Sequence, residues 1–158
     1  MKITDIRFGM LRVPLKTPFK TALRTVEQVE DVVVMVHTDS GHVGYGSAPA
    51  TAVITGDTHG SIVEAVRHYI APRLVGHEIA NLNHLTHLVQ GAMEKNTSAK
   101  AAVEIALYDL WGQLYRAPIY QLLAAATRPS PPTSPSAWIT STRWWRTRWP
   151  RWSAASSR

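Results

Sequence analysis

The feature that most constrains this chain is a stripe of apolar side chains between Ser98 and Tyr115. Ala99, Ala102, Val103, Ala106, Leu107, Leu110, Trp111 and Leu114 recur at the 3.6-residue period of an α-helix and form one continuous face. A single helix cannot bury such a face alone, so another layer has to cover it. Ala117-Pro118 ends the helix, and IYQLL at 119–123 starts one more short turn.

The covering layer is legible upstream. Residues 2–15 alternate loosely, with Ile3, Ile6, Phe8 and Met10 before Pro14, and predict a strand that stops where an amide donor is lost. Residues 29–37, VEDVVVMVH, are a dense β-branched run. Asp39-Ser40-Gly41 supplies turn chemistry, and HVGYGSA at 42–48 reads as a returning strand. Residues 1–48 therefore predict a three-stranded antiparallel meander with two long connections, 16–28 and 49–57. Asp57 is the expected N-cap of a first helix, whose inward residues are Ile62, Val63, Val66, Tyr69 and Ile70 and which runs to Pro72 and Gly76. A second is expected from Asn83 to Gln90, with Leu85, Leu88 and Val89 inward. The plan is α+β, three strands followed by three helices.

Beyond Leu123 the periodicity disappears. RPSPPTSPS is followed by STRWWRTRWPRW, and residues 124–158 hold five of the six tryptophans, six arginines and no Asp or Glu. The net charge of +6 belongs wholly to this tail, because the 11 remaining basic residues balance 11 acidic ones. The globular part thus gives no sign of a nucleic-acid partner. The absence of cysteine excludes disulfides and thiolate metal sites. No apolar run approaches 18 residues and the N-terminus lacks a signal-peptide plan, so a cytoplasmic protein is expected.

Indole and guanidinium side chains together could serve as an arm for nucleic acid or anionic lipid. A one-base slip near Leu123 is the other explanation. Displacing the frame turns the first base of each tail codon into a middle base, which largely sets hydropathy. Permitted codons then restore D-I-T-I-S-V and, further on, an amphipathic pattern, together a strand followed by a helix. On this reading residues 1–123 are the domain, and 124–158 are an aberrant Pro/Trp/Arg-rich tail, expected to be disordered.

Four stretches resemble the start of dipeptide epimerases in the muconate-lactonizing branch of the enolase superfamily: PFKTALRTVE (18–27), APATAVITGDT (48–58), SAKAAVEIALYDLWGQL (98–114) and PIYQLL (118–123). The resemblance covers essentially all of residues 1–123. It implies the N-terminal capping domain of an isomerase, a racemase or epimerase. In such enzymes a following (β/α) barrel carries Mg²⁺ on carboxylates and two lysines that move the α-proton of an L-Ala-D/L-Glu-type dipeptide. That barrel is expected to be missing from this chain, because Lys2, Lys16, Lys20, Lys95 and Lys100 all precede it and match no catalytic lysine. No catalytic or metal-binding residue is therefore expected here. The chain alone is expected to be inactive and to bind no Mg²⁺.

The resemblance further implies that the connections 16–28 and 49–57 are loops that close over the substrate. Phe19, Thr21 and Arg24 match the first, Ile54 and Thr55 the second. Arg24 is the natural partner for a substrate carboxylate, whose two oxygens its fork matches. A solvated loop arginine and local loop packing of Phe19 and Ile54 are the plainer alternatives. A small dipeptide is the implied partner, the intact enzyme has scope to be a homo-oligomer, and neither a specific nucleic acid nor a membrane is expected. A cycloisomerase or an o-succinylbenzoate synthase on the same scaffold remains open, as does a non-catalytic module with a binding tail.

Other clusters point to structure. His84 and His87, with His77 near, have metal-compatible spacing but no third ligand at a fitting offset. Glu104 and Asp109 flank the apolar stripe and are expected to make structural hydrogen bonds. GYGSAPA is a weak glycine pattern with no helix opening from it. Ser47 stands where the family commonly has Glu.

Overall fold

A computed structural model describes residues 1–20 and 25–123 of the chain. Strands β1 (Ile3–Lys20), β2 (Thr25–Thr38) and β3 (Val43–Pro49) form an antiparallel sheet in the order β1-β2-β3, the meander that the sequence predicts. The β2–β3 turn closes on Gly41, whose φ of 79° lies in the left-handed region that suits glycine.

The first strand does not stop at Pro14. It continues through Lys20, and the expected connection 16–28 is largely a two-stranded ribbon in which Phe19 pairs with Val26 and Lys20 with Thr25. The physical reason is that β1 lies at the sheet edge, where a missing amide donor breaks no ladder on the open side. A register shift between Pro14 and Phe19 takes up the irregularity.

Six helices and two irregular turns follow among the described residues. α1 (Ala52–Thr55) is a single turn closed by left-handed Gly56. α2 (His59–Glu64) runs through a wide π segment (Ala65–Ile70) into α3 (Ala71–Leu74). A 3₁₀ turn (Ile79–Asn81) leads into α4 (Leu82–Gln90); then come α5 (Thr97–Tyr115) and the short α6 (Ile119–Leu123). Asp57 does not cap α2. Thr58 does: its hydroxyl accepts from Ser61 N–H at 3.2 Å, and Ser61 Oγ accepts from Thr58 N–H at 2.8 Å, a complete capping box. Tyr69 points out rather than in, because the π turn changes the phase. The large buried residues of this segment, Ile62, Val66, Ile70 and Leu74, fall four apart, with the small buried Ala65 beside them. Pro72, which has no N–H to bond back, sits just beyond it.

α5 lies across one face of the sheet. Its buried residues Ala99, Ala102, Val103, Ala106, Leu107 and Leu110 join Val32, Val34, Val36 and Ala48 in the core, while Trp111 and Leu114 are half-buried at its margin. The approach is close because β3 offers glycine. A Cβ on Gly44 or Gly46 would collide with the backbone carbonyl oxygens of Ala106 and Ala102, respectively. The GYG pattern is thus a helix seat. Among the described residues no helix is long and apolar enough to cross a membrane.

Candidate functional site

The two segments matched to substrate-facing loops leave the same end of the sheet. β3 ends at Pro49, opposite Asp31, so the first half of β2 extends past its β3 neighbour. Residues 25–31 of β2, together with Pro49, Ala50, Thr51 and His59, line an open groove of about 410 Å³. His59 Nε2 lies 3.3 Å from the Glu30 carbonyl oxygen and can donate to it, which ties the start of α2 to the strand. Glu30 is engaged on its side chain as well: Gln28 Nε2 donates to it at 2.7 Å, and Arg12 Nε stands 3.5 Å away.

Of the expected contact residues, the described ones, Phe19, Ile54 and Thr55, do not line this groove. Phe19 is on the ribbon and 60% exposed, although it is a large apolar side chain. Ile54 is on α1 and 66% exposed. Thr55 turns its hydroxyl back to Thr51, 3.1 Å from that residue's Oγ1. Thr21 and Arg24 lie outside the described residues. Phe19 and Ile54 are two of several large apolar side chains exposed among the described residues, Val53, Tyr69 and Tyr120 being others.

The remaining candidates have structural partners. Asp109 accepts from Tyr45 N–H at 3.0 Å, and Glu104 from Gln90 Nε2 at 2.6 Å. The His77 and His84 rings are tilted at 5.4 Å between centroids, and His87 Nδ1 lies 2.6 Å from the Asn83 carbonyl oxygen. A second hollow, of about 380 Å³ between residues 80–84 and Trp111, has no carboxylate in its lining. Lys100 is buried and donates from Nζ to the Gln90 carbonyl oxygen at 2.9 Å, closing the end of α4. Among the described residues no group of three or more His, Cys, Asp or Glu could hold a metal ion. Mg²⁺ therefore finds no ligand set among the described residues.

Sequence reading missed two residues that shape the site. His59 gave no signal beyond its place in the first turn of a helix. Asp57 sits where a cap is expected, but Thr58 and Ser61 form a complete box and leave its carboxylate for another role.

The described residues form a small α+β domain, a three-stranded antiparallel sheet with α5 packed on one face. This chain belongs to the mandelate racemase / muconate lactonizing enzyme family: residues 4–124 match the family's N-terminal domain. It is 52% identical over 123 residues to the L-Ala-D/L-Glu epimerase of Clostridium acetobutylicum and 50% identical to that of Bacillus subtilis, covering 78% of this chain in each case. The chain spans about a third (34%) of the length of these relatives. The substrate-liganded structure of the Bacillus subtilis epimerase superposes with a TM-score of 0.74 at 49% identity, over 77% of this chain and 34% of that one. The dipeptide epimerase of Enterococcus faecalis, complexed with Mg and L-Leu-L-Tyr, gives 0.72 at 32% identity, over 78% and 34%.

Proposed function

We propose that residues 1–123 are the substrate-selecting cap of a dipeptide epimerase acting on an L-Ala-Glu-type dipeptide, and that they carry specificity without chemistry. The observation that carries this reading is the groove between residues 25–31 and 49–51, flanked by exposed Phe19 and Ile54. The likeness to two L-Ala-D/L-Glu epimerases at 50% identity or above supports the choice of dipeptide. In this reading Phe19 and Ile54 pack on the substrate's apolar parts, Thr21 offers a hydroxyl, Thr55, whose own hydroxyl is turned to Thr51, lines the segment with its methyl group, and Arg24 binds a carboxylate bidentately. Closing both segments shields the deprotonated α-carbon, so that it is reprotonated only by a positioned group on one face or the other, and those groups exchange their own protons with solvent while the segments are open. The Mg²⁺ and proton-transferring groups of the reaction would come from a following barrel, and the Trp/Arg-rich stretch 124–158 would be read in a displaced frame.

Two proteins test this. A polypeptide of residues 1–158 incubated with L-Ala-L-Glu and Mg²⁺ in D₂O is expected to give no α-deuteration above buffer by NMR. A fusion of residues 1–123 to the part of the Bacillus subtilis relative beyond its matching third is expected to exchange, and Ile54→Ala in that fusion to raise KM. Exchange by residues 1–158 alone, or a fusion that turns over L-Ala-L-Glu with KM unchanged by Ile54→Ala, overturns the reading.

A further inference from the structure

Pro49 pairs with Asp31 in the sheet and Ala50 packs against the core, but from Thr51 to Gly56 the segment has little of its own to hold it. α1 is one turn with no buried residue, far below the length at which a helix persists alone. Its internal bonds are few. Ile54 and Thr55 N–H donate to the Thr51 carbonyl, both at 2.9 Å, and Gly56 N–H to that of Ala52 at 3.1 Å. Asp57 N–H donates to Thr55 Oγ1 at 3.3 Å. A turn this small keeps one position only if something outside it supplies the constraint.

Asp57 supplies it. The residue is only 6% exposed, and its Oδ2 accepts from Ser98 Oγ at 2.5 Å and from Ser98 N–H at 3.3 Å. Ser98 stands in the first turn of α5, the helix whose apolar stripe fills the core. That helix needs an external cap, because its own N-cap residue, Asn96, has a left-handed backbone and makes no side-chain cap bond. A carboxylate oxygen is the acceptor best suited to the exposed amides of a helix N-terminus, and bonds to an ionised group are the stronger kind. One side chain thus fastens the end of the segment to the longest helix. The neighbouring capping box leaves Asp57 free for this, since Thr58 and Ser61 complete α2 between themselves.

We infer that Asp57 is the positioning residue of this segment: its carboxylate, bonded to Ser98, fixes α1 so that Ile54 and Thr55 meet the substrate at a set place. This rests on the reading of 49–57 as part of the substrate cap. The consequence falls on binding, so loss of the anchor raises KM in the fused enzyme and changes kcat less.

Amide hydrogen exchange on the 158-residue chain, read by mass spectrometry for peptides covering 51–56 and 101–110, tests the anchor. Asp57→Ala is expected to speed exchange at Ile54, Thr55 and Gly56 about tenfold while the middle of α5 keeps its protection. Asp57→Asn is expected to restore most of it, because its amide oxygen accepts from the same donors, and Ser98→Ala to reproduce part of the loss. Equal loosening of 51–56 and α5, or no change at 51–56, overturns the inference; the first would make Asp57 only a cap of α5. Should Asp57→Ala not fold, Asp57→Asn and Ser98→Ala still decide, since each weakens the link without deleting it. In the fusion, KM raised by Asp57→Ala and rescued by Asp57→Asn supports positioning. KM raised by Ile54→Ala but not by Asp57→Ala overturns the anchor. A segment that loosens while neither variant alters KM overturns the capping reading instead.

Discussion

β2 is one strand in two settings. From Val32 to Thr38 its residues alternate strictly between buried and half-buried, with Val32, Val34 and Val36 on the face covered by α5. From Thr25 to Asp31 not one residue is buried, although the ladder with β1 continues. The backbone is extended throughout, so conformation is not what separates the halves; the presence of a covering helix is. A bare two-stranded ribbon is marginal by itself, and this one takes its order from the covered sheet that it prolongs. Stability is concentrated at one end and exposed contact surface at the other, the arrangement expected when a rigid scaffold holds out binding segments.

The sharpest break of that comparison lies at the covered end. Leu107 is fully buried at the centre of the α5 face. Leu107→Ala removes its packing and leaves a cavity between helix and sheet, so unfolding in urea is expected to show a loss of about 2–5 kcal/mol. A loss below about 1 kcal/mol would mean that the helix–sheet interface is not where the domain is held.

The same division explains what could be read from sequence. The stripe at 98–115 and the run at 29–37 were legible because burial on one face imposes a period, 3.6 in the helix and 2 in the strand. The ribbon was not. Without a covering layer its side chains need not alternate, and Pro14 read as a stop when an edge position makes it harmless. Tyr69 was misplaced because nothing in its neighbours announces a π turn. Gly44 and Gly46 were noticed as a motif, but their reason, the carbonyls of α5 lying against them, is a tertiary fact that spacing does not carry. Phe19 and Ile54 are expected at the site through family likeness alone, and the structure leaves both exposed. Asp57 was assigned to the nearest helix, when its partner lies 41 residues away.

A smaller effect is expected at the uncovered end, where the comparison can be sharpened. Phe19→Ala deletes a large side chain, yet this side chain is exposed and packs on no core residue. Urea unfolding should move by no more than about 0.5 kcal/mol. In the fused enzyme the same substitution is expected to raise KM for L-Ala-L-Glu, so that one residue is silent in stability and visible in binding. A stability loss comparable to that of Leu107→Ala would erase the distinction between the two ends.

The smallest effect is one of pH, and it too belongs to the covered end. Asp39, in the β2–β3 turn, accepts from Lys2 N–H at 2.8 Å and returns its own N–H to the Lys2 carbonyl at 2.9 Å. The Lys2 N–H bond, helped by the N-terminal ammonium and the Lys2 charge, holds the Asp39 carboxyl below its ordinary value, slight desolvation acting the other way. Asp5, on β1, is lowered chiefly by its bond from the Arg7 side chain, at 2.8 Å. For a carboxyl depressed in the folded state, the stabilisation is present above the unfolded value and is lost as pH falls through the folded one. The urea midpoint is therefore expected to fall slightly between about pH 5 and pH 3. Asp39→Asn keeps an acceptor for Lys2 but has no proton to take up, so it should flatten that slope while leaving the part due to Asp5. Because both carboxylates are exposed to solvent, added salt should shrink the charge-dependent share of the slope further. A slope identical in the parent and in Asp39→Asn would show that the turn contributes nothing to acid sensitivity and would place its source elsewhere in the domain.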